Sequence, residues 1–257
     1  MRLVTFNVLH GRSLNDGLVD PDRLAAAVAA LDADVLALQE VDRDQSRSGN
    51  LDLTAVAARA LGASEHRFAA AIVGTPGADF RRPRHDDDGR GEPCYGVGLV
   101  SRYPVRGWHV VRLAPAPVRA PIHLPGGGVV LLRDEPRVVL AAVLETPQGE
   151  VTVAATHLSF VPGWNARQLR RSVRALRALP APRVLLGDLN LPAGAARLVS
   201  GWVPLGRRPT YPAAHPRVQL DHVLADRRGR ERLPPVTAVS TPATTISDHR
   251  PLVVDLG

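Results

Sequence analysis

The chain has one cysteine, Cys94, in 257 residues. An intramolecular disulfide is therefore excluded, and a reducing compartment, the cytoplasm, is expected. Lysine is absent: all 32 basic side chains are arginine, against 25 acidic ones. Arginine's planar fork suits phosphate oxygens, and a formal net charge of +7 favours anionic partners. Aromatic residues are scarce, with three Trp, three Tyr and four Phe, which argues against a stacking platform for single-stranded nucleic acid. No apolar run approaches the ~20 residues needed to span a bilayer, so no stable membrane insertion is expected. The N-terminus enters directly into Leu3-Val4-Thr5-Phe6-Asn7 without the pattern of a cleaved signal peptide. What is present is an ordinary globular composition, 45% hydrophobic, enough for a sizeable core.

Arg2 to Asn7 reads as a short buried strand. Asp20-Pro21 is a cap followed by proline at the first helical position, and Leu24, Val28 and Leu31 keep helical spacing. Asp34 to Gln39 is a strand ending at Glu40, and Leu53 to Leu61 a second helix stopped by Gly62. Strand-like runs follow at 68–73, 97–101, 105–113, 129–132, 138–144 and 151–156. Leu169, Val173 and Leu176 mark a third helix. Strands return at 183–186, 218–224, 236–240 and 252–256. This alternation predicts an α/β or α+β fold with two sheets packed together.

Gly74 to Pro93 is the least regular stretch, and a loop that long is functional or mobile. Asp86-Asp87-Asp88 within it lacks the spacing of a calcium loop and reads as a solvated acidic tip. In the first half a strand ends at Asn7, a helix follows, and the next strand ends at Glu40. In the second half the same order runs from His157 to Asp188. The separations are 33 positions (7 to 40) and 31 positions (157 to 188). Two similar strand–helix–strand units meeting at one site are expected, within a single domain over residues 1–257.

Six segments share one grammar, an apolar run leading to a polar group at its edge. They are Thr5-Phe6-Asn7, Leu38-Gln39-Glu40, Ala155-Thr156-His157-Leu158, Gly187-Asp188-Leu189-Asn190, Gln219-Leu220-Asp221-His222 and Ser247-Asp248-His249-Arg250-Pro251. Any one could be a turn or a cap. Together they supply carboxylates and histidines without thiolates, the donor chemistry of magnesium or manganese rather than zinc. Two histidines and an aspartate then remain for proton handling and charge stabilisation.

The chain resembles the endonuclease/exonuclease/phosphatase superfamily. The residues that carry the likeness are T-F-N-V at 5–8, L-Q-E-V at 38–41, G-V-G-L-V-S-R-Y-P-V at 96–105, T-H-L at 156–158, G-D-L-N at 187–190, L-D-H-V-L at 220–224 and S-D-H-R-P at 247–251. Each is weak alone, and the ordered set is specific. The resemblance implies a four-layer α/β/β/α sandwich like that of deoxyribonuclease I, with the site where the two sheets' strand ends meet. It implies that Asn7 and Glu40 hold or orient a divalent metal, with Asp248 on the metal side of the pocket. Asp188 would position and deprotonate the attacking water, and Asn190 would bind a phosphate oxygen. Asp221 would pair with His249, and His249 and His157 would donate to the phosphate as charge builds. The reaction implied is in-line hydrolysis at phosphorus, most simply of a phosphodiester.

The AP endonuclease branch carries Asn or Asp where this chain has Leu9, and Tyr where it has His157. The chain therefore looks more like the deoxyribonuclease and sphingomyelinase side. A nuclease and a lipid or inositol phosphate hydrolase both stay open as substrate readings, and a catalytically silent binding protein is a third. Arg137 reads as a phosphate contact or as half of a surface ion pair with Glu135. Tyr95 reads as a pocket wall or as a strand-edge core residue. His222 alternates to the face opposite Asp221 and reads as packing. Arg167, Arg170, Arg174 and Arg177 form a helical stripe that reads as a solvated face. His10, His66, His85, His109, His123 and His215 read as ordinary. A monomer with a phosphate-ester substrate, nucleic acid included, is expected.

Overall fold

A computed structural model describes residues 1–84, 89, 91–123 and 128–257; His85 and the Asp86–Asp88 tip lie outside the described residues. In chain order the elements are β1 (Arg2–Asn7), α1 (Pro21–Leu31), β2 (Val35–Arg43), α2 (Leu53–Leu61), β3 (Glu65–Gly74), β4 (Phe80–Arg81), β5 (Cys94–Ser101) and β6 (Val105–Leu113). Next come β7 (Arg119–His123), β8 (Val129–Arg133), β9 (Arg137–Thr146), β10 (Gly149–His157), α3 (Trp164–Leu176) and β11 (Arg183–Asp188). The last are α4 (Ala193–Ser200), β12 (Val203–Pro204), β13 (Asp221–Ala225), β14 (Val236–Ser240) and β15 (Leu252–Leu256).

The caps explain where the first helices begin. Asp20 accepts from the Asp22 N–H (2.8 Å) ahead of Pro21, and Asp52 accepts from the Ala55 N–H (3.0 Å). Gly62 closes α2 with φ +61°. Leu169, Val173 and Leu176 of α3 are buried, while Arg167, Arg170, Arg174 and Arg177 are exposed, as a solvated arginine stripe requires.

Two sheets carry the fold. One has the order β14-β15-β1-β2-β5-β3-β4, the other β12-β13-β11-β10-β9-β6, and β7 pairs with β8 as a separate ribbon. Alternation divides each strand between two environments. Leu3, Val35, Leu99, Leu140, Val153, Leu186 and Val223 meet in a core between the sheets. Val4, Phe6, Leu36 and Leu38 pack outward with Leu24, Val28 and Leu53 of α1 and α2. Leu185 and Leu224 pack outward with Leu169, Val173 and Ala196 of α3 and α4. The result is the helix–sheet–sheet–helix sandwich that the resemblance implied. Among the described residues no helix is long and apolar enough to cross a membrane.

Both strand–helix–strand units have parallel strands. β1 pairs with β2 so that Asn7 faces Gln39, and β10 pairs with β11 so that His157 faces Asp188. The second pairing depends on Gly187. A Cβ there would lie 1.9 Å from the Thr156 carbonyl oxygen, so no side chain fits between the two backbones. Gly187→Ala is therefore expected to cost about 3 kcal/mol, the upper end for forcing atoms into packed structure. At this chain length that lowers Tm by roughly 6–12 °C, which a thermal melt checks.

Candidate active site

The ends of β1, β2, β10 and β11, the start of β13 and the loop entering β15 bring their polar residues together. In β1, β10, β11 and β13 this follows from period-two geometry. Leu3, Val153, Leu186 and Val223 face the inter-sheet core, and Asn7, His157, Asp188 and Asp221 keep the same parity. Glu40 does not. Val35 and Ala37 face inward, which gives Gln39 the inward parity and sends Glu40 toward the helices. A β-bulge between Gln39 and Val41 reverses this: Glu40 takes φ +57° and turns its carboxylate back into the cleft. There Asn7 Nδ2 donates to Glu40 Oε1 (3.0 Å) and to Asp188 Oδ2 (3.1 Å), tying the two sheets together.

Asp188 is the hub of the cluster. Its Oδ1 accepts from the Asn190 backbone N–H (2.9 Å), and its Oδ2 lies 3.6 Å from His157 Nε2 and 3.7 Å from His249 Nε2. Asn190, in the left-handed region at φ +49°, donates through Nδ2 to the Leu158 carbonyl (3.0 Å) and places that nitrogen 3.3 Å from His157 Nε2. His249 Nδ1 is 2.8 Å from Asp221 Oδ2. Ser247, at φ +70°, donates from Oγ to the Asn7 carbonyl (2.6 Å) and accepts the His249 N–H (3.1 Å). Positive φ at Glu40, Asn190 and Ser247 is costly backbone, and such strain concentrates where chemistry is done.

A family model described as "Endonuclease/Exonuclease/phosphatase family" matches residues 4–249. The chain belongs to the endonuclease/exonuclease/phosphatase family. Members of this family are generally hydrolytic phosphoesterases and typically use a divalent metal. A Beutenbergia cavernae endonuclease/exonuclease/phosphatase structure is similar to all of this chain at 26% identity and TM-score 0.66, which covers 72% of its own length. Sphingomyelinase C from Streptomyces griseocarneus matches 100% of this chain and 99% of its own at 18% identity, TM-score 0.63. A Bacteroides thetaiotaomicron mannosyl-6-phosphatase matches the same shares at 15% identity, TM-score 0.61. At these last two identities the likeness is one of fold. No curated protein sequence matches the chain.

For a member of this family the electrostatics of the cluster are informative. Burial, with Asp221 adding its charge, pushes the Asp188 carboxyl up to about 7. Burial alone would lower His249, but Asp221 and Asp188 outweigh it and raise the ring to about 10. His157 goes the opposite way: burial, then Arg137, hold it well below the ordinary value. Burial also raises Glu40, and the charge of Asp248 adds to the shift.

Two groups of side chains could hold a metal. Asp188, Asp221 and His249 each place a ligand-type atom within 4.8 Å of one another. Within this group His249 Nδ1 is engaged by Asp221 Oδ2 at 2.8 Å, while the second Asp221 oxygen has no hydrogen-bond partner among the described residues. Asn7, Glu40 and Asp248, the set implied by the resemblance, offer oxygens as well. Burial raises the Glu40 carboxyl and the charge of half-buried Asp248 adds to it, and a hard cation nearby would favour its ionised form. Both groups are rich in carboxylate oxygens, the donors that a hard divalent cation takes.

The remaining sequence expectations divide. Arg137 is 7% exposed, so it is no half of a surface ion pair; its Nη2 lies 3.7 Å from Asp134 Oδ1 and its Nη1 3.2 Å from His157 Nδ1. The guanidinium stands on the Nδ1 side of the histidine, with its Nε free of any hydrogen-bond partner among the described residues. Tyr95 is buried in β5 with the Arg47 guanidinium 5.8 Å over its ring, and the charge of Glu40 reaches its hydroxyl. It is a core residue at the edge of the site. His222 faces away, with Nε2 2.8 Å from the Leu191 carbonyl. His10 is half-buried in the left-handed region at φ +46°, and burial lowers it to about 4.

Asn165 and Tyr211 carry no signal in the sequence, and Ser247 opens the S-D-H-R-P segment with no role of its own read there. Asn165 donates from Nδ2 to the Asn190 carbonyl (2.8 Å) and holds the strained turn. Ser247 joins Asn7 to His249, and the Tyr211 ring lies 5.0 Å from that of His249. Asn165 is a polar residue in helical context with no pattern of its own, so spacing alone does not find it.

Proposed function

We propose that the protein is a divalent-metal-dependent phosphodiesterase, acting as a monomer of one domain in the cytoplasm. The observation that supports this most is Asp188 seated between two histidines, one held charged and the other neutral. A carboxylate near pKa 7 is suited to take a proton from water at neutral pH. Protonated His249 presents a charged donor to the phosphoryl oxygens, where negative charge grows in the transition state. His157 supplies a neutral donor beside it, and Asn190 orients both the Asp188 carboxylate and the bound phosphate. The metal, held by Glu40 with Asn7 and Asp248, would supply Lewis-acid stabilisation of developing charge. The loop from Gly74 to Pro93 shapes substrate choice.

A second reading keeps the chemistry and changes the substrate to a lipid or sugar phosphate. Sphingomyelinase C and a mannosyl-6-phosphatase among the structural neighbours favour it. A panel of magnesium and manganese against bis-p-nitrophenyl phosphate, DNA, sphingomyelin and sugar phosphates separates the readings. Turnover of DNA or of bis-p-nitrophenyl phosphate with sphingomyelin and the sugar phosphates untouched supports the first, and preference for sphingomyelin or for the sugar phosphates supports the second. No turnover with any metal overturns both and leaves a binding protein of this fold.

Glu40→Gln halves the charge facing the proposed cation. It is expected to weaken manganese binding at least about 10-fold, the scale at which altering even an outer partner of a metal ligand is felt. Titration calorimetry with manganese checks this. Unchanged affinity would move the metal to the Asp188 side.

A further inference from the structure

The two histidines flanking Asp188 have opposite partners behind them. Behind His249 stands a carboxylate, Asp221 (Nδ1 to Oδ2, 2.8 Å). Behind His157 stands a guanidinium, Arg137 (Nη1 to Nδ1, 3.2 Å). Arginine has five N–H donors and no acceptor, so the bond to Arg137 exists only if His157 Nδ1 carries no proton. A neutral imidazole then carries its proton on Nε2, the nitrogen that faces Asp188 Oδ2 at 3.6 Å.

One contact competes. Asn190 Nδ2 lies 3.3 Å from His157 Nε2 and would suit the other tautomer. That tautomer puts an N–H against the buried guanidinium, and a buried charged donor left without its acceptor costs more than a neutral one. The Asn190 amide loses less, because its Nδ2 already donates to the Leu158 carbonyl at 3.0 Å. Arg137 therefore decides. It is itself fixed from behind: Asp134 Oδ1 is 3.7 Å from Nη2, and Asp134 Oδ2 accepts from Ser159 Oγ (2.8 Å) and the Ala116 N–H (2.6 Å).

We propose that Arg137 is a positioning residue that locks His157 in the Nε2–H form, so that this ring presents its Nε2 proton toward the place of a phosphate. Its importance for turnover rests on the phosphoesterase reading. The tautomer does not.

The test is proton–nitrogen correlation spectroscopy of the histidine rings in nitrogen-15-labelled full-length protein at neutral pH, with and without magnesium. The His157 signals are assigned by their loss in His157→Gln. The expected wild-type ring has a bare Nδ1 and a protonated Nε2. Arg137→Met should release the ring to a mixture of tautomers and lower kcat on the order of 10²-fold with little change in KM, the scale of a misplaced proton donor. Arg137→Lys, which retains a donor, should restore the tautomer and most of kcat. A wild-type ring protonated on Nδ1, or doubly protonated, overturns the proposal even if Arg137→Met fails to fold. A tautomer unmoved in folded Arg137→Met overturns it too. An Nε2–H ring in a protein that cleaves no phosphoester overturns the phosphoesterase reading and leaves the Arg137 assignment standing.

Discussion

Asp188→Asn is expected to lower phosphoester turnover on the order of 10³-fold, within the range for losing a positioned base, and to leave the protein folded. The amide cannot take a proton from water, yet it is nearly the same shape. It does not satisfy every neighbour. Oδ1 accepts from the Asn190 N–H, while Oδ2 faces Asn7 Nδ2 at 3.1 Å, so one of the two positions must hold an amide nitrogen against a donor. Against that loss stands a gain, because the buried carboxylate is itself unfavourable. Its pKa lies near 7 in the folded protein against an ordinary 3.8. A raised folded value means that the folded state holds the proton more tightly. The stability this contributes is present at low pH and is lost as pH rises from about 4 through 7. In metal-free protein, Asp188→Asn should therefore gain in Tm relative to wild type between pH 5 and pH 8. Melting curves of both proteins in EDTA at the two pH values check the sign. Undiminished turnover would show that the base lies elsewhere.

Much of this site was legible because strands carry their own ruler. Asn7, His157, Asp188 and Asp221 sit where an apolar run meets a polar group, which marks them in the sequence, and the core between the sheets then fixes which face they take. The repeat of strand, helix and strand showed that two such ends belong together, and the Asn7–Asp188 hydrogen bond joins them. Glu40 reads as a hard-metal oxygen donor from its place at a strand edge, but its direction is opposite to what parity gives. The bulge that turns it is a backbone event with no side-chain signature. Other misses have similar causes. β13 begins at Asp221 instead of Val218: the Leu220 N–H turns to the Thr210 hydroxyl (3.2 Å), and Val218 bridges to Tyr211 outside the sheet. α4 was not read at all: it starts after Pro192 without a side-chain cap and contains Gly194. The surface ion pair read for Arg137 gives way to burial, and only tertiary packing shows that it stands behind His157.

Asp221→Asn tests the other half of the proposed machinery, and its effect should be nearly as large. Asp221 is fully buried and bonded to His249 Nδ1, so the change removes the strongest influence holding that ring protonated. Burial then pulls the ring down, opposed only by Asp188 and Asp248. The sign follows. A ring at about 10 stays charged through neutral pH, and activity that needs its proton falls away only in strong base. In Asp221→Asn that alkaline limb should move toward neutrality, with turnover at its optimum lower by about 10² to 10⁴-fold. The asparagine also presents an amide that can stabilise the wrong tautomer of a neutral ring. Because the two residues act as a unit, Asp221→Asn combined with His249→Ala should be no slower than His249→Ala alone. The neighbour supplies the control. His222→Ala removes an outward-facing ring bonded to the Leu191 carbonyl, and should lower Tm while leaving turnover and its pH profile in place. Steady-state rates across pH for the four proteins decide the matter. Additive losses in the double variant, or an alkaline limb that does not move, would show that Asp221 does not govern His249.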